Sequence, residues 1–283
     1  MGDEMSSAGN ISGKVVVVTG GARGIGYATA RLLRDRGALV AIGDIDKSQV
    51  DKAGSDLGLE VFGRLDVTDR VSFKSFLDEV ERRLGPLDVL INNAGVMPAG
   101  RFAEEADRVT RRILDINVYG VVLGSKLAAQ RMLGRGTGHV INIASLAAET
   151  PTPGLATYCA SKAAALSLTD ALRIEHRDTG LEFSAVLPCF TNTELVAGTQ
   201  GAKLVPNAEP EDIAEAIAEL ICDPRPRVAV TRLAGLLVGA GRVLPGQVTE
   251  FFQRRLGMTH VMLDGVDVEA RRAYESRARG LDG

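Results

Sequence analysis

The stretch VVVVTGGARGIGYATARLL, residues 15–33, joins three patterns in a row. Four valines predict a buried β-strand, four glycines then fall within residues 20–26, and apolar residues at helical spacing follow. Glycine permits positive φ and close approach of a ligand, and a helix N-terminus attracts phosphate. The strand–turn–helix order therefore predicts a phosphate-binding turn at Gly20, Gly24 and Gly26, with a plain tight turn as the alternative.

Apolar runs and helical patterns alternate along the rest of the chain. The expected strands cover residues 14–18, 39–43, 60–65, 87–91, 139–143, 182–187 and 227–230. The main helical patterns cover residues 24–36, 69–84, 103–133 and 156–179. Continuous Val, Ile and Leu runs separated by helices are typical of a parallel sheet that is covered on both faces. We expect an α/β, doubly wound Rossmann fold with a mainly seven-stranded parallel sheet.

The two ends of the chain differ from this pattern. We expect a disordered leader at 1–12, one catalytic domain at 13–232 and a C-terminal helical extension at 233–283. The extension would pack on the same domain or on a partner subunit, and residues 266–280 have the pattern of a charged surface helix. Arginines among Leu and Phe in 231–257 also suit peripheral contact with a membrane surface, which is the less favoured alternative.

Composition narrows the classes of function. The net charge is −3 and no Lys/Arg block stands out, which argues against a nucleic-acid partner. The three cysteines are scattered, as expected for a reducing, cytoplasmic location, and the three separated histidines give no support for a metal site. The apolar run at 233–241 is far shorter than the roughly 18 residues of a membrane span.

An acidic residue ends the second expected strand, in VAIGDIDK (40–47). Asp44 lies 20 residues after Gly24, where a dinucleotide-binding fold places the acid that accepts from the adenosine ribose hydroxyls. Its negative charge would repel a 2′-phosphate, whereas Arg23 in the glycine turn would attract one. NAD is therefore the favoured cofactor, and NADP is the alternative.

Four segments together carry a specific resemblance to a known family. They are TGGARGIG (19–26), NNAG (92–95), DINVYG (115–120) and IASLAAETPTPGLATYCASK (143–162). In order and spacing they resemble the short-chain dehydrogenase/reductase family over residues 13–230. The Tyr-x-x-x-Lys pair at 158 and 162 is common on helices, so the resemblance depends on its combination with Ser145 and the glycine turn.

The expected catalytic residues are Asn117, Ser145, Tyr158 and Lys162. Tyr158 and Lys162 are four residues apart and share one helix face. A nearby ammonium would lower the tyrosine pKa from about 10, so that Tyr158 serves as acid in ketone reduction or base in alcohol oxidation. Ser145 would hydrogen-bond the substrate oxygen. The resemblance implies that Lys162 also holds the nicotinamide ribose and that Asn117 holds a water near the lysine.

The resemblance also implies a series of cofactor contacts. Residues of NNAG would lie along the cofactor, Asp66 and Val67 would face the adenine, and LPCFTNTEL (187–195) takes the place of the family's Pro-Gly turn. Cys189 replaces the glycine of that turn, which leaves the shape of the pocket open. The expected cofactor contacts are Gly20, Arg23, Gly24, Ile25, Gly26, Asp44, Ile45, Asp66, Val67, Asn93, Ala94, Gly95, Tyr158, Lys162, Pro188, Phe190, Thr191 and Thr193.

These features predict an oxidoreductase that transfers hydride between a nicotinamide cofactor and a secondary alcohol or ketone. The expected pocket is mostly apolar, without an arginine to hold an acid, which favours a hydrophobic, sterol-, retinoid- or terpenoid-like substrate. Its expected lining is Val96, Met97, Ala147, Thr150, Leu155, Cys189, Phe190 and Leu195.

Two other functions remain as alternatives to the oxidoreductase: a dinucleotide-binding regulatory module without turnover, and an interaction scaffold. The long helices at 103–133 and 155–179 offer faces for a homo-oligomer, a dimer or tetramer.

Overall fold

The computed structural model of the protein describes residues 10–196, 198, 207–231, 262–263 and 267–280. Its strands are β1 (Val15–Thr19), β2 (Leu39–Asp44), β3 (Val61–Arg64), β4 (Val89–Asn92), β5 (Gly138–Ile143), β6 (Leu181–Pro188) and β7 (Arg227–Val230). They form one sheet in the order β3-β2-β1-β4-β5-β6-β7, and every neighbouring pair is parallel. The predicted seven-stranded, doubly wound sheet is confirmed.

Helices cover both faces of this sheet. They are α1 (Gly24–Asp35), α2 (Lys47–Asp56), α3 (Arg70–Leu84), α4 (Asp107–Leu114), α5 (Gly120–Met132), α6 (Ala156–Glu175), α7 (Pro210–Cys222) and α8 (Val268–Arg279). The valines of β1 show how the core divides. Val16 and Val18 pack into the cluster with α1, α2 and α7, while Val15 and Val17 face the cluster with α3 and α5. Both faces of β1 are therefore buried, which explains its unbroken apolar run.

The strand order reverses between β1 and β4, and this fixes the position of the site. From β1 the chain moves outward to β2 and β3, and after β3 it returns to β4 on the other side of β1. At such a switch point the loops from the two halves separate and leave a crevice outside the carboxyl ends of the strands. The glycine turn after β1 and the loop after β4 both open at this edge of the sheet.

The helix expected at 103–133 is interrupted in the structure. It divides into a short 3₁₀ turn (Phe102–Glu104), α4, a π-helical turn (Asp115–Tyr119) and α5. The π turn contains Asn117, which is fully buried and hydrogen-bonded by both atoms of its amide. A π turn inserts one extra residue into a helix, often at functional sites, and periodicity in the sequence does not show it.

The described part of α8 packs against the same chain. Its backbone carbonyls near the end accept from Arg112 of α4, so α8 packs against α4. The expectation of a charged surface helix at 266–280 is wrong for one face, because Arg271 is 1% and Tyr274 8% exposed. These two side chains lie one turn apart and point into the protein.

The remaining expectations for the chain ends are tested only where residues are described. Ile11 is buried in the core although it falls within the leader expected at 1–12, and residues 1–9 lie outside the described residues. Apart from its first residue, the 231–257 segment also lies outside them, and with it the expected membrane contact. Within the described ranges, no helix has the length and apolar character needed to cross a membrane.

Candidate active site

The glycine turn is built so that only glycine fits its key positions. Gly20 and Gly24 have φ of +64° and +51°, in the left-handed region. A Cβ on Gly26 would lie 2.2 Å from the Gly20 carbonyl oxygen. Helix α1 begins at Gly24 without a side-chain cap. An uncapped helix N-terminus behind a close-approach turn fits a phosphate group.

The loop after β4 holds this turn in place. Asn93 donates from its side-chain amide to the carbonyl oxygens of Thr19 (2.9 Å) and Gly20 (3.0 Å). The Thr19 hydroxyl in return accepts from the backbone N–H groups of Asn93 (3.0 Å) and Ala94 (3.1 Å). The residues of NNAG therefore border the turn, and their contact with a cofactor stays a prediction. Thr19 was not among the expected site residues, although it precedes Gly20 directly.

Asp44 lies at the end of β2, beside the glycine turn. Its carboxylate accepts from the backbone N–H groups of Ala22 (3.3 Å) and Asp46 (3.1 Å). Burial raises the pKa of Asp44, and these two hydrogen bonds oppose that rise. The neighbouring Ile45 is 49% exposed, an apolar surface next to the acid. The contact of Asp44 with a ribose and that of Ile45 with the cofactor stay predictions.

Arg23 is already paired in this arrangement. Its guanidinium donates to Asp46 at 2.6 Å and lies 3.8 Å from Glu194. The two carboxylates offset the positive charge with which Arg23 was expected to attract a 2′-phosphate. Asp46 has a second structural role, because its side chain caps α2 by accepting from Gln49 N–H.

Asp66 and Val67 follow β3 at the same edge of the sheet. Asp66 Oδ1 accepts from the Thr68 N–H (2.9 Å) and hydroxyl (2.7 Å), which fixes the turn into α3. Val67 is buried against Gly120, where a Cβ would lie 2.9 Å from a Val67 methyl. The structure gives both residues turn and packing roles, and their contact with an adenine stays a prediction.

Ser145, Tyr158 and Lys162 are brought together, as the sequence predicts. The Tyr158 hydroxyl is hydrogen-bonded to Ser145, whose Oγ also accepts from Ala147 N–H at 3.1 Å. Lys162 Nζ lies 5.8 Å from the centroid of the Tyr158 ring and donates to the Ile143 carbonyl at 2.7 Å. Ile143 ends β5 and Tyr158 lies in the first turn of α6, so a strand end and a helix start assemble the group.

The pKa of Tyr158 is shifted in the direction opposite to the expected one. Burial raises the pKa of Tyr158 to about 12, and the hydrogen bond from Ser145 only partly opposes this rise. Burial also lowers the pKa of Lys162 to about 8. The expectation that the ammonium lowers the tyrosine pKa is therefore wrong for the chain without ligands. Both charged forms lose their hydration, and Lys162 donates to a carbonyl rather than to the phenol.

Asn117 connects the loop after β4 with α6. Its Oδ1 accepts from Val96 N–H, and its Nδ2 donates to Val96 O, both at 2.9 Å. Nδ2 also lies 3.1 Å from Ser161 Oγ, and Ser161 donates to the Tyr158 carbonyl at 2.7 Å. A Cβ on Gly95 would lie 3.3 Å from Asn117 Oδ1 and 3.5 Å from Lys162 Nζ. Asn117 therefore lies beside the lysine, and its water-holding role stays a prediction.

The segment after β6 returns to the glycine turn. Thr193 packs against Gly24, where a Cβ would lie 3.2 Å from the threonine methyl carbon. Thr191 is buried, and its hydroxyl donates to the carbonyl of Cys189 at 3.0 Å. Pro188 ends the strand, and Phe190 faces the region of Tyr158. The structure thus places the segment at the expected crevice despite the missing glycine.

Tyr158 is a buried member of an apolar cluster. We call it the Tyr158 cluster; its members are Met97, Ala99, Ala147, Leu155, Tyr158, Cys159, Phe190, Leu195, Val196 and Met262. Five residues of the expected pocket lining belong to it: Met97, Ala147, Leu155, Phe190 and Leu195. An arginine nevertheless lies next to this cluster, because the guanidinium of Arg271 donates to the carbonyls of Met97 and Leu195. No local sequence pattern predicts this contact, because Arg271 lies 174 residues after Met97.

Comparison with known proteins agrees with this architecture. A family model described as short chain dehydrogenase matches residues 14–203. The chain belongs to the short-chain dehydrogenase family. It is 33% identical over 255 residues to "Probable oxidoreductase EphD" of Mycobacterium tuberculosis. The matched region covers 82% of this chain but only 43% of that protein. The chain therefore spans less than half the length of this relative.

Two further similarities cover nearly the whole of the matched protein. The meso-2,3-butanediol dehydrogenase of Serratia marcescens is 36% identical over 221 residues, 74% of this chain and 88% of that enzyme. The crystal structure of a short-chain dehydrogenase/reductase from Burkholderia phymatum in complex with NAD has a TM-score of 0.76 and 25% identity. That match covers 83% of this chain and 95% of the solved one. The family is one of oxidoreductases with a Rossmann fold that binds NAD.

Proposed function

We propose that this chain is an NAD-dependent dehydrogenase that interconverts a secondary alcohol and its ketone, with Tyr158 exchanging the proton. The observation that carries the proposal is the burial of Tyr158, hydrogen-bonded to Ser145 and beside Lys162, at the carboxyl ends of the strands. The glycine turn lies at the same edge of the sheet. A bound nicotinamide dinucleotide would supply the hydride acceptor or donor.

Each residue of the group has a role that follows from its contacts. Tyr158 takes the proton of the alcohol oxygen as the carbon–hydrogen bond breaks, and returns it in the reverse direction. Ser145 donates a hydrogen bond to the reacting oxygen and steadies its developing charge. Lys162, with a pKa of about 8, changes protonation state near neutral pH and is suited to pass the proton onward. Asn117 fixes the backbone beside the lysine and holds a water there.

The residues around the glycine turn fit an NAD cofactor. Gly20, Gly24 and Gly26 would accept the pyrophosphate at the start of α1, and Asp44 would accept from the ribose hydroxyls. Because Arg23 is paired with Asp46, the net charge near the ribose is negative, which disfavours a 2′-phosphate. We therefore propose NAD rather than NADP as the physiological cofactor.

Replacing Asp44 tests this cofactor assignment. In Asp44→Ser we expect kcat/KM with NAD to fall about tenfold or more, since a charge-assisted hydrogen bond is lost, and the preference over NADP to shrink. Steady-state kinetics with both cofactors measure the change, and Asp51→Ser, on the exposed side of α2, is the matched control. A wild-type enzyme that prefers NADP would contradict the assignment.

The apolar surroundings of Tyr158 favour a hydrophobic substrate. Leu155, Phe190 and Leu195 present carbon surface beside the phenol, and the nearby guanidinium of Arg271 donates to backbone carbonyls and Glu275. We propose a secondary alcohol with an apolar skeleton, of sterol, retinoid or terpenoid size or smaller. The Serratia relative is named for a small diol, meso-2,3-butanediol. An oxidation screen of alcohols with NAD and NADP, followed by NADH absorbance, identifies the class.

A regulatory module that binds the dinucleotide without turnover is the second candidate. The raised pKa of Tyr158 favours it, because a phenol with a pKa of about 12 is a poor base at neutral pH. A fluorescence titration with NADH and NADPH beside the alcohol screen separates the two. Tight binding of NADH with no turnover of any alcohol or ketone would favour the module and contradict the dehydrogenase.

We propose that the protein works in the cytoplasm. Cys159, Cys189 and Cys222 are all free thiols, and Cys159 is buried. Free thiols persist in a reducing compartment. Cell fractionation followed by immunodetection tests the location, and recovery from a membrane or secreted fraction would contradict it.

A further inference from the structure

Helix α8 joins the two segments that border the substrate side of Tyr158. Arg271 is 1% exposed, and its guanidinium donates to Met97 O at 2.7 Å and to Leu195 O. Met97 belongs to the loop after β4, and Leu195 belongs to the segment after β6. Glu275, one turn along α8, accepts from the same guanidinium at 2.6 Å. The extension therefore forms a wall of the Tyr158 cluster.

Hydrogen bonds also hold the second half of α8 against the protein. Glu275 accepts from Ala99 N–H at 3.1 Å, and Arg279 donates to Ala99 O at 2.6 Å. On the other side, Arg112 of α4 donates to the carbonyl of Ala278 at 3.1 Å. These hydrogen bonds fix α8 at both ends, so the side chains between them are held in place. Tyr274 is such a side chain.

Tyr274 brings a buried hydroxyl to this wall. It is 8% exposed, and its oxygen accepts from Met97 N–H at 2.7 Å. A phenol also has one proton to donate, and among the described residues no acceptor receives it. A buried donor that lacks an acceptor is rare in native proteins and requires an explanation, such as a ligand atom.

The surroundings keep this hydroxyl protonated and close to the reacting centre. Burial raises the pKa of Tyr274, and the hydrogen bond from Met97 N–H and the charge of Arg271 only partly oppose this rise. Met97, which holds Tyr274, packs in the same cluster as Tyr158. A neutral phenol beside the catalytic one is a donor suited to an oxygen of the substrate.

We propose that Tyr274 is a specificity-determining residue that binds a second oxygen of the substrate, on a carbon next to the reacting one. This inference rests on the dehydrogenase function proposed above. The reacting oxygen is already bound by Ser145 and Tyr158, so Tyr274 meets a different atom. The other members of the Tyr158 cluster are apolar, which suits a carbon skeleton. The preferred substrate class is therefore a vicinal diol, or the corresponding α-hydroxyketone, on an apolar skeleton.

The test compares diols with matched monoalcohols in wild type and Tyr274→Phe. The probes are cis-1,2-cyclohexanediol against cyclohexanol and 2,3-butanediol against 2-butanol, each with saturating NAD. We expect wild type to prefer the diols by about tenfold or more in kcat/KM, and Tyr274→Phe to lose most of that preference while keeping its rate on monoalcohols. Tyr119→Phe, which removes the hydroxyl of an exposed tyrosine, is the control and should behave as wild type.

Each contrary result has a distinct meaning. An equal loss of kcat/KM on diols and monoalcohols in Tyr274→Phe would show a merely structural hydroxyl and overturn the inference. Equal use of both classes by wild type would overturn it without any variant, so the test stands even if Tyr274→Phe does not fold. Wild type that binds NADH but oxidises neither class overturns the proposed dehydrogenase function, and the inference with it.

Discussion

At the scale of single residues, the site depends on a buried amine and a buried phenol that both resist becoming charged. Lys162 Nζ donates to the Ile143 carbonyl at 2.7 Å, and burial lowers the pKa of Lys162 to about 8. Tyr158 has its pKa raised to about 12. Both groups are therefore neutral between about pH 8 and about pH 12. Binding of an alcohol and a cofactor must shift this balance for Tyr158 to act as a base.

The lowered pKa of Lys162 predicts a pH dependence of stability. Below pH 8 the lysine is charged in both states, and its burial costs the folded protein stability. Between about pH 8 and the ordinary value of 10.5, the unfolded chain binds a proton that the folded chain does not, so stability rises with pH. Relative to Lys162→Met, we expect the free energy of unfolding of wild type to rise by about 1 kcal/mol per pH unit in this window.

Urea unfolding of both proteins at several pH values between 7 and 10.5 measures this difference. Lys47→Met, whose side chain is 68% exposed, provides the control for removing a lysine elsewhere. A difference between wild type and Lys162→Met that does not change with pH would show that the amine is not held in the neutral form by burial.

Sequence reasoning succeeded for residues whose roles depend on neighbours in the chain. The glycines of the turn could be predicted, because Gly20 and Gly24 need positive φ immediately after a strand. Tyr158 and Lys162 could be predicted as a pair, because helix geometry brings residues four apart together. The direction of their pKa shifts could not, because it depends on burial by distant segments of the fold.

At the scale of elements, α8 and the π turn show what local patterns leave out. Residues 268–279 contain few large apolar side chains, so their sequence predicts an exposed helix. Arg271 is buried nonetheless, because carbonyl groups from two distant loops accept from its guanidinium, one of them 174 residues away. The π turn at Asn117 likewise follows from hydrogen bonds to Val96 and Ser161 rather than from local propensity.

The attachment of α8 predicts that substitutions at two neighbouring arginines lower the free energy of unfolding by different amounts. Arg271→Met removes one member of a buried ion pair and leaves Glu275 without its closest partner, so we expect a loss of about 3 kcal/mol in the free energy of unfolding. Arg272→Met removes an exposed pair with Glu269, on a side chain that is 70% exposed, and should cost less than about 1 kcal/mol.

Urea unfolding measures both effects, and hydrogen exchange of the α8 amides shows whether the loss is local. We also expect Arg271→Met to raise KM for the alcohol, because the loops at Met97 and Leu195 are no longer joined. Equal stability losses in the two variants would contradict the role of Arg271 as the buried anchor.

At the scale of the whole molecule, the fold follows from the alternation of apolar runs and helices. All seven expected strands are present, because a parallel sheet covered on both faces requires continuous apolar runs that the sequence displays. The packing of α8 against the loops after β4 and β6 could not be predicted. That packing depends on long-range contacts and not on any repeating pattern.

Exposed apolar side chains on the long helices predict self-association. Ile174 on α6 is 60% exposed, and Leu114 at the end of α4 and Tyr119 in the π turn are also exposed. We propose a dimer or tetramer that buries this side of the molecule, so the mass in solution should be two or four times 29.9 kDa. Ile174→Glu should reduce the mass by weakening a contact between copies.

Sedimentation equilibrium measures the mass of each variant. Val71→Glu, an equally exposed aliphatic position on α3, is the control and should keep the mass of wild type. A wild-type protein that stays at 29.9 kDa over a range of concentrations would contradict the proposed oligomer.

The most direct measurement for the account as a whole is the turnover of Tyr158→Phe beside its affinity for NADH. The substitution removes one oxygen from a buried ring and leaves the glycine turn and Asp44 in place. We expect the NADH dissociation constant to change by less than about threefold, while kcat for the best alcohol of the screen falls by roughly a thousandfold. Turnover close to that of wild type would show that another group exchanges the proton.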